Sequence, residues 1–338
     1  MRITNFGDPA IGDCCRYLIQ KTAAQEQIRV RVTVADVYEE HMDVIKKQLE
    51  GKHAVVFPGG GMNSVAFNER LLELYNLIER QPDTQVFFNA VGISRVNPKA
   101  GNERLLRQLF AKPQTAQITT RGDFAQLLSY VRTPRKYPVR LVIDPAIWAA
   151  EAYRVCKKPY TSKIGVGVIR PEIYEANGNS FSALDVSRMY IQILNELQKR
   201  GYEWELFTNG MAQDDKFGNE ILSRMGLSER QHKKRNVKSA KQLVKRISGY
   251  RGVIAARLHA NILAASLRIP SVGLVWNDKM NLFAEAIGAK ERFIGEEQLL
   301  DAPYIVDQLE LALKDGYREH EIAAMKEAAV QSVRNILH

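Results

Sequence analysis

The feature that most constrains this chain is a strict alternation of short β-branched runs with longer segments of helical period. In the first half the apolar runs fall at 2–5, 28–35, 53–58, 84–93, 116–120 and 139–143. Between them, apolar residues recur every three or four positions over 13–24, 38–49, 68–80, 102–110 and 123–132, the spacing of one helix face. Parallel strands need a crossover, usually a helix, so this order predicts a parallel sheet covered on both faces. The rhythm fails at 149–163, where charges and Pro159 replace any period, and this stretch reads as an interdomain connection. A second series follows, with strands at 164–170, 204–208, 252–256, 271–276 and 292–294. Its helices are expected at 183–200, 214–225, 240–250, 258–267 and 281–287, and helices at 304–313 and 320–337 close the chain.

With 338 residues the chain exceeds the size at which one core usually keeps growing. The expected organisation is two Rossmann-like, doubly wound α/β domains, 1–150 and 163–316, followed by a terminal helix over 317–338. Two such domains facing each other make a cleft, and open α/β sheets place ligands at the carboxyl ends of their strands. Functional residues are therefore expected in loops that follow strands.

No apolar stretch approaches the ~20 residues needed to cross a bilayer, and no signal-peptide core follows Met1; a cytoplasmic protein is expected. Cys14, Cys15 and Cys156 are too few and too badly spaced for a disulfide framework or a zinc site. No metal is expected, and Cys14 and Cys15, inside the first helix, read as core. The net charge of +10 favours anionic partners. Basic residues gather at Arg230, Lys233, Lys234, Arg235, Lys238, Lys241, Lys245 and Arg246, with a smaller group at Arg132, Arg135, Lys136 and Arg140. The larger group is either a solvated helix face or a patch for phosphorylated groups or an anionic membrane surface. No nucleic-acid motif accompanies it.

Four turns carry candidate chemistry. Asn5, Gly7 and Asp8 precede the first helix, with Gly12 and Asp13 at its start. Glycines let backbone approach a ligand; Asp13 is a candidate cap, and Asp8 a candidate to bind or deprotonate a sugar hydroxyl. The run Gly59-Gly60-Gly61-Met62-Asn63 follows the strand ending near Phe57. Ser64 replaces the third glycine of a dinucleotide fingerprint and the expected acidic residue is missing, so the run reads as a ligand-facing loop or a plain tight turn. Arg170 ends the first strand of the second series, where a planar guanidinium suits a carboxylate or phosphate. The strongest candidate is Arg257-Leu258-His259-Ala260, where a buried strand enters a helix. A guanidinium, an imidazole and free helix N–H groups there make an anion site. Lys279, after the next strand, adds an ammonium or simply faces solvent.

Taken in order, Asn5-x-Gly7-Asp8, Gly59-Gly60-Gly61, Asp144-Pro145-Ala146, Arg170, Arg257-Leu258-His259-Ala260 and Lys279 resemble the polysaccharide pyruvyl transferases over most of the chain. The resemblance implies two Rossmann-like domains in a GT-B-like arrangement with a cleft between them. It implies transfer of the carbon skeleton of phosphoenolpyruvate to a sugar as a cyclic ketal, with loss of phosphate and no cofactor. Arg170, Arg257, Leu258, His259 and Lys279 would then hold phosphoenolpyruvate, with His259 and Arg257 catalytic beside Asp8. Asn5, Gly7, Asp8, Gly59, Gly60, Gly61 and Asn63 would face the acceptor. That acceptor would be a saccharide of a bacterial exopolysaccharide or capsule, or its polyprenyl diphosphate-linked precursor at the inner membrane face. The chain departs from the family pattern at Arg121-Gly122-Asp123, where an adjacent Arg-Asp pair is usual. A GT-B glycosyltransferase using a nucleotide sugar is the competing enzyme reading, and a non-catalytic binder of phosphosugar or nucleic acid the reading from another class.

Overall fold

A computed structural model describes residues 5–36, 40–62, 65–93, 103–131 and 137–338. It is α/β with two parallel sheets, as the alternation predicts. The chain divides into two compact units, one of residues 11–145 with 326–338 and one of 1–10 with 146–325. The division thus places the first ten residues with the second α/β series, and the last thirteen with the first, where a linear reading has 1–150, 163–316 and 317–338.

The unit of the first series contains β1 (Ala54–Phe57), β2 (Gly60–Gly61), β3 (Gln85–Gly92), β4 (Thr115–Thr120) and β5 (Val139–Leu141), ordered β1-β3-β4-β5 with β2 also on β3. Phe57, Val86, Phe88, Val91 and Ile118 pack with Leu106, Leu109 and Phe110 into one core. The expected strand at 28–35 is a correction: residues 28–36 have no regular structure. Its alternation of valines with Arg29 and Arg31 satisfies the pattern, but Val30 and Val34 are exposed and no partner ladder forms. Of the expected strand at 2–5, residues 2–4 lie outside the described residues and Asn5 is not in a strand.

The first helix is a second correction. It runs Gly7–Gln25, six residues longer at its start than the period suggested, so Asp8 is in the first turn and Asp13 lies inside the helix, not at its N-cap. Asp13 instead meets Arg16 at 3.4 Å. The glycine run is not a simple loop either. Gly60 and Gly61 pair with Val91 and Gly92, resuming the line that β1 makes with β3. Gly59, at φ +115°, breaks that line, and a Cβ there would lie 2.9 Å from Ile11 Cγ2 and 3.2 Å from the Ala90 carbonyl. Only glycine fits such a close approach. Asn63 lies outside the described residues.

The other unit holds β6 (Ile164–Gly167), β7 (Trp204–Phe207), β8 (Gly252–Ala255), β9 (Ser271–Leu274) and β10 (Phe293–Ile294), ordered β10-β9-β8-β6-β7 and all parallel. Every residue of these strands is buried, which is why they read as mostly apolar runs instead of alternating ones, with Glu205 in β7 the charged exception. Helix Ala183–Lys199 covers the sheet with Val186, Met189, Ile193, Leu194 and Leu197. Each such side chain contributes about 1.5–3 kcal/mol on burial. Its start is fixed by a capping box, in which Ser182 Oγ accepts from the Asp185 N–H and Asp185 accepts from the Ser182 N–H.

None of the three cysteines is in a disulfide; Cys14 and Cys15 are buried and Cys156 is exposed. Burial pushes the Cys15 thiol up to about 12, partly offset by the hydrogen bond from Asn89. The thiolate is the reactive form. Iodoacetamide at neutral pH should therefore label the folded protein at Cys156 alone, and Cys14 and Cys15 only after denaturation. Mass spectrometry of the adducts checks this; native labelling of Cys15 would mean that the first helix does not pack as described.

Candidate functional site

The sheet order of the second unit creates a switch point. From β6 the chain moves outward to β7, then returns to the opposite side of β6 as β8. Connections leaving β6 and β8 therefore diverge, and the space between their carboxyl ends is where ligands sit in open α/β sheets. Arg170 follows β6 by three residues and Arg257 follows β8 by two. The structure joins these two arginines through a residue the sequence did not single out, Asp214.

Asp214 comes from helix Ala212–Arg224, which follows β7, and its side chain is fully buried. Its Oδ1 accepts from the backbone N–H of Arg170 and from Arg170 Nη1, both at 3.2 Å. Its Oδ2 accepts from Arg257 Nε at 3.0 Å and from Arg257 Nη2 at 2.5 Å. These bonds use all the acceptor capacity of one carboxylate, which a buried charge requires. Behind them stand Tyr174 and Tyr190, fully buried, whose hydroxyls burial pushes well up and so keeps neutral. Tyr190 accepts the Ile169 N–H at 3.1 Å, fixing the turn before Arg170. An aspartate in the first turn of a helix is ordinarily read as a partner of the helix dipole. Its position after a strand neighbouring β6 was the one available signal.

Arg257 is the N-cap residue of helix Leu258–Ser266 and makes no side-chain cap bond, and within the first turn the Ala260 N–H donates to the Arg257 carbonyl at 3.0 Å. The turn is rigid. Asn261 Nδ2 donates to the carbonyls of Ala255 at 3.0 Å and Arg257 at 3.2 Å, and Trp276 Nε1 donates to the Ala256 carbonyl at 2.6 Å. His259, in the first turn, is buried.

Asn5, Gly7 and Asp8, expected on the acceptor side, lie in the same unit as Arg257 and His259. The Phe6 N–H donates to the Asn209 carbonyl at 2.8 Å, anchoring the segment beyond β7. Asn5 Oδ1 accepts from the Gly7 N–H at 3.2 Å, a local turn that starts the helix. Gly7 abuts the His259 ring, where a Cβ would collide with Nδ1 and Cγ. Asp8 Oδ1 stands 4.0 Å from His259 Nδ1, an ion-pair distance when the imidazole is protonated and too long for a hydrogen bond. Lys279 is in the first turn of helix Asp278–Ala286, which follows β9, next to β8.

Residues 5–278 match the family described as polysaccharide pyruvyl transferase. The chain belongs to the polysaccharide pyruvyl transferase family. It is a transferase on that evidence. No curated protein is similar to it at a significant level. Among solved structures it resembles UDP-GlcNAc 2-epimerase from Neisseria meningitidis bound to UDP-GlcNAc, with 13% identity, TM-score 0.58, and 95% of this chain and 89% of that one covered. UDP-GlcNAc 2-epimerase from Methanocaldococcus jannaschii gives 12% identity, TM-score 0.56, and 94% and 87% coverage. A trehalose-6-phosphate synthase gives 12%, 0.51, and 88% and 72%. These likenesses show a fold of the GT-B type.

The larger basic group of the transferase is not one uniform face. Lys233 is buried and pairs with Asp215 at 2.9 Å, and Lys234 meets the buried Glu205 at 3.3 Å. Arg246 is partly buried, donates to the Arg235 carbonyl at 2.5 Å, and has its guanidinium pKa lowered by that burial. Arg230, Arg235, Lys238, Lys241 and Lys245 remain exposed. Of the smaller group, Arg132, Arg135 and Lys136 lie outside the described residues. Arg121, immediately after β4, pairs with Asp144 in a buried ion pair, which ties the departure from the family pattern to the Asp144-Pro145-Ala146 motif. No group of metal-ligating side chains occurs among the described residues.

Placing a methyl at Gly7 tests the contact with His259. Gly7→Ala should destabilise the protein by about 1–3 kcal/mol through overpacking and lower transfer at least ~10-fold by displacing the imidazole. Gly12→Ala, in the same helix, would meet only Pro58 Cγ at 3.9 Å and should leave both near wild type. Denaturant midpoints and initial rates measure the pair.

Proposed function

We propose that this transferase takes phosphoenolpyruvate as donor, joins its carbon skeleton to two hydroxyls of a saccharide as a cyclic ketal, and releases phosphate. The observation that carries the reading is the Arg170–Asp214–Arg257 cluster beside an uncapped helix N-terminus. Guanidiniums from the turns after two neighbouring strands, one of them opening a helix, suit a small ligand bearing two anionic groups. Phosphoenolpyruvate carries both a carboxylate and a phosphate.

His259 is then the proton carrier. Protonation of the methylene carbon makes C2 electrophilic, and a first sugar hydroxyl adds there while giving up its proton. The bond from C2 to the phosphate oxygen breaks, phosphate leaves, and the second hydroxyl closes the ring. Of the two hydroxyl protons released, one balances the proton placed on carbon and the other leaves with phosphate. Asp8, 4.0 Å from Nδ1, accompanies the imidazolium in this scheme, a role favoured over acceptor deprotonation by its distance from His259. Gly60 and Gly61 remain the acceptor-facing backbone in this reading. His259→Ala should abolish phosphate release while phosphoenolpyruvate binding largely survives in calorimetry; unchanged turnover would sink the assignment.

The fold shared with UDP-sugar enzymes favours a second reading, a glycosyltransferase whose arginines hold a nucleotide diphosphate. Phosphate release that depends on phosphoenolpyruvate and ignores nucleotide sugars separates the two.

For the acceptor we propose a saccharide on a polyprenyl diphosphate carrier, with exposed Lys238, Lys241 and Lys245 meeting the anionic membrane surface. No helix among the described residues is long and apolar enough to cross a membrane, so such contact would be peripheral. Each lysine near an anionic surface contributes about 1 kcal/mol, so replacing all three by glutamine should weaken binding to phosphatidylglycerol vesicles roughly 100-fold. Undiminished vesicle binding would exclude the patch.

A further inference from the structure

Asp214 has no part in the proton and bond changes above, yet it touches both arginines assigned to the donor. We propose that Asp214 is the positioning residue of the anion site, fixing the spacing of Arg170 and Arg257 and halving their combined charge so that free phosphate is not held too tightly. The proposal rests on the reading that these arginines bind the donor.

Three observations support it. First, the arginines come from connections after different strands, β6 and β8, whose pairing fixes the backbone but not where such long side chains end. Asp214 fixes that, one oxygen to each. Second, two guanidiniums that share one carboxylate carry like charges and repel each other. One buried carboxylate brings the trio from a charge of two to one, and the neighbouring Tyr174 and Tyr190 supply no further charge. Glu172 lies 3.9 Å from Arg170 Nε but is largely exposed, so solvent weakens its influence. Third, Arg257 spends Nε and Nη2 on Asp214, which leaves Nη1 directed elsewhere, and Arg170 spends one hydrogen of Nη1. Each arginine thus keeps donors for a different group of the ligand. A ligand with two anionic groups engages both, whereas phosphate alone engages a site of single net charge and departs after turnover.

A buried ion cluster is by itself weak evidence for stability, so the test must separate positioning from folding. The full chain is compared as wild type, Asp214→Asn and Asp214→Glu, with calorimetric titration of inorganic phosphate and steady-state kinetics on phosphoenolpyruvate. Asp214→Asn should tighten phosphate at least ~3-fold by removing a negative charge. It should also raise KM for phosphoenolpyruvate at least ~10-fold, with a smaller change in kcat. Asp214→Glu keeps the charge but moves it, so phosphate affinity should stay within about two-fold while KM rises. If Asp214→Asn does not fold, the split expected of Asp214→Glu decides. Variants that melt earlier yet match the wild type in phosphate affinity and KM would overturn the assignment. A wild type that binds phosphate but does not turn over phosphoenolpyruvate would overturn the donor reading alone, and the phosphate shift would still judge Asp214.

Discussion

The second unit is organised by the double pairing of one short strand. β6 hydrogen-bonds to β7 along one side and β8 along the other, with Gly167 opposite both Phe207 and Ala255. Because the chain must pass from one side of β6 to the other, the turns after β6 and β8 cannot cover the same ground, and polar side chains at their ends have room for a ligand. Strands β6 and β8 are wholly buried and apolar, so Arg170 and Arg257 are the first charged side chains the chain meets on leaving them. Both guanidiniums are partly buried, and the fully buried Asp214, on the helix that follows β7, is their counter-charge.

That logic explains what was legible in the sequence and what was not. Strands β6 to β9 stand out because burial on both faces selects continuous apolar runs, and the residues just beyond them, Arg170, Arg257 and His259, follow from the strand ends. Asp214 is a long-range partner. It lies 43 residues from Arg257 and 44 from Arg170, and its local surroundings, an ordinary helix start, say nothing about either. The segment 28–36 shows the reverse failure: alternation is present, but a strand requires a neighbour to pair with, which no local pattern reveals.

The start of the first helix shows how a local reading goes astray in a useful way. Asp13 looks like a cap because the helical period reads as starting there, yet Asn5 opens the helix and Gly7 and Asp8 occupy its first turn. The glycine is explained by the imidazole pressed against it, and Asp8 by its place near the same ring. Residues that sequence order assigns to the beginning of one domain are thereby counted with the other. The glycine run at 59–61 has a comparable double meaning, since Gly59 is required by its contact with Ile11 whatever the following backbone binds.

The bond from the Trp276 indole to the Ala256 carbonyl has a practical consequence. It fastens one of only three tryptophans in the chain to the residue immediately before Arg257. Any ligand that tightens or shifts that turn changes the polarity around an indole whose emission responds to it. The molecule thus carries its own optical gauge of site occupancy, with no label to attach and no product to detect.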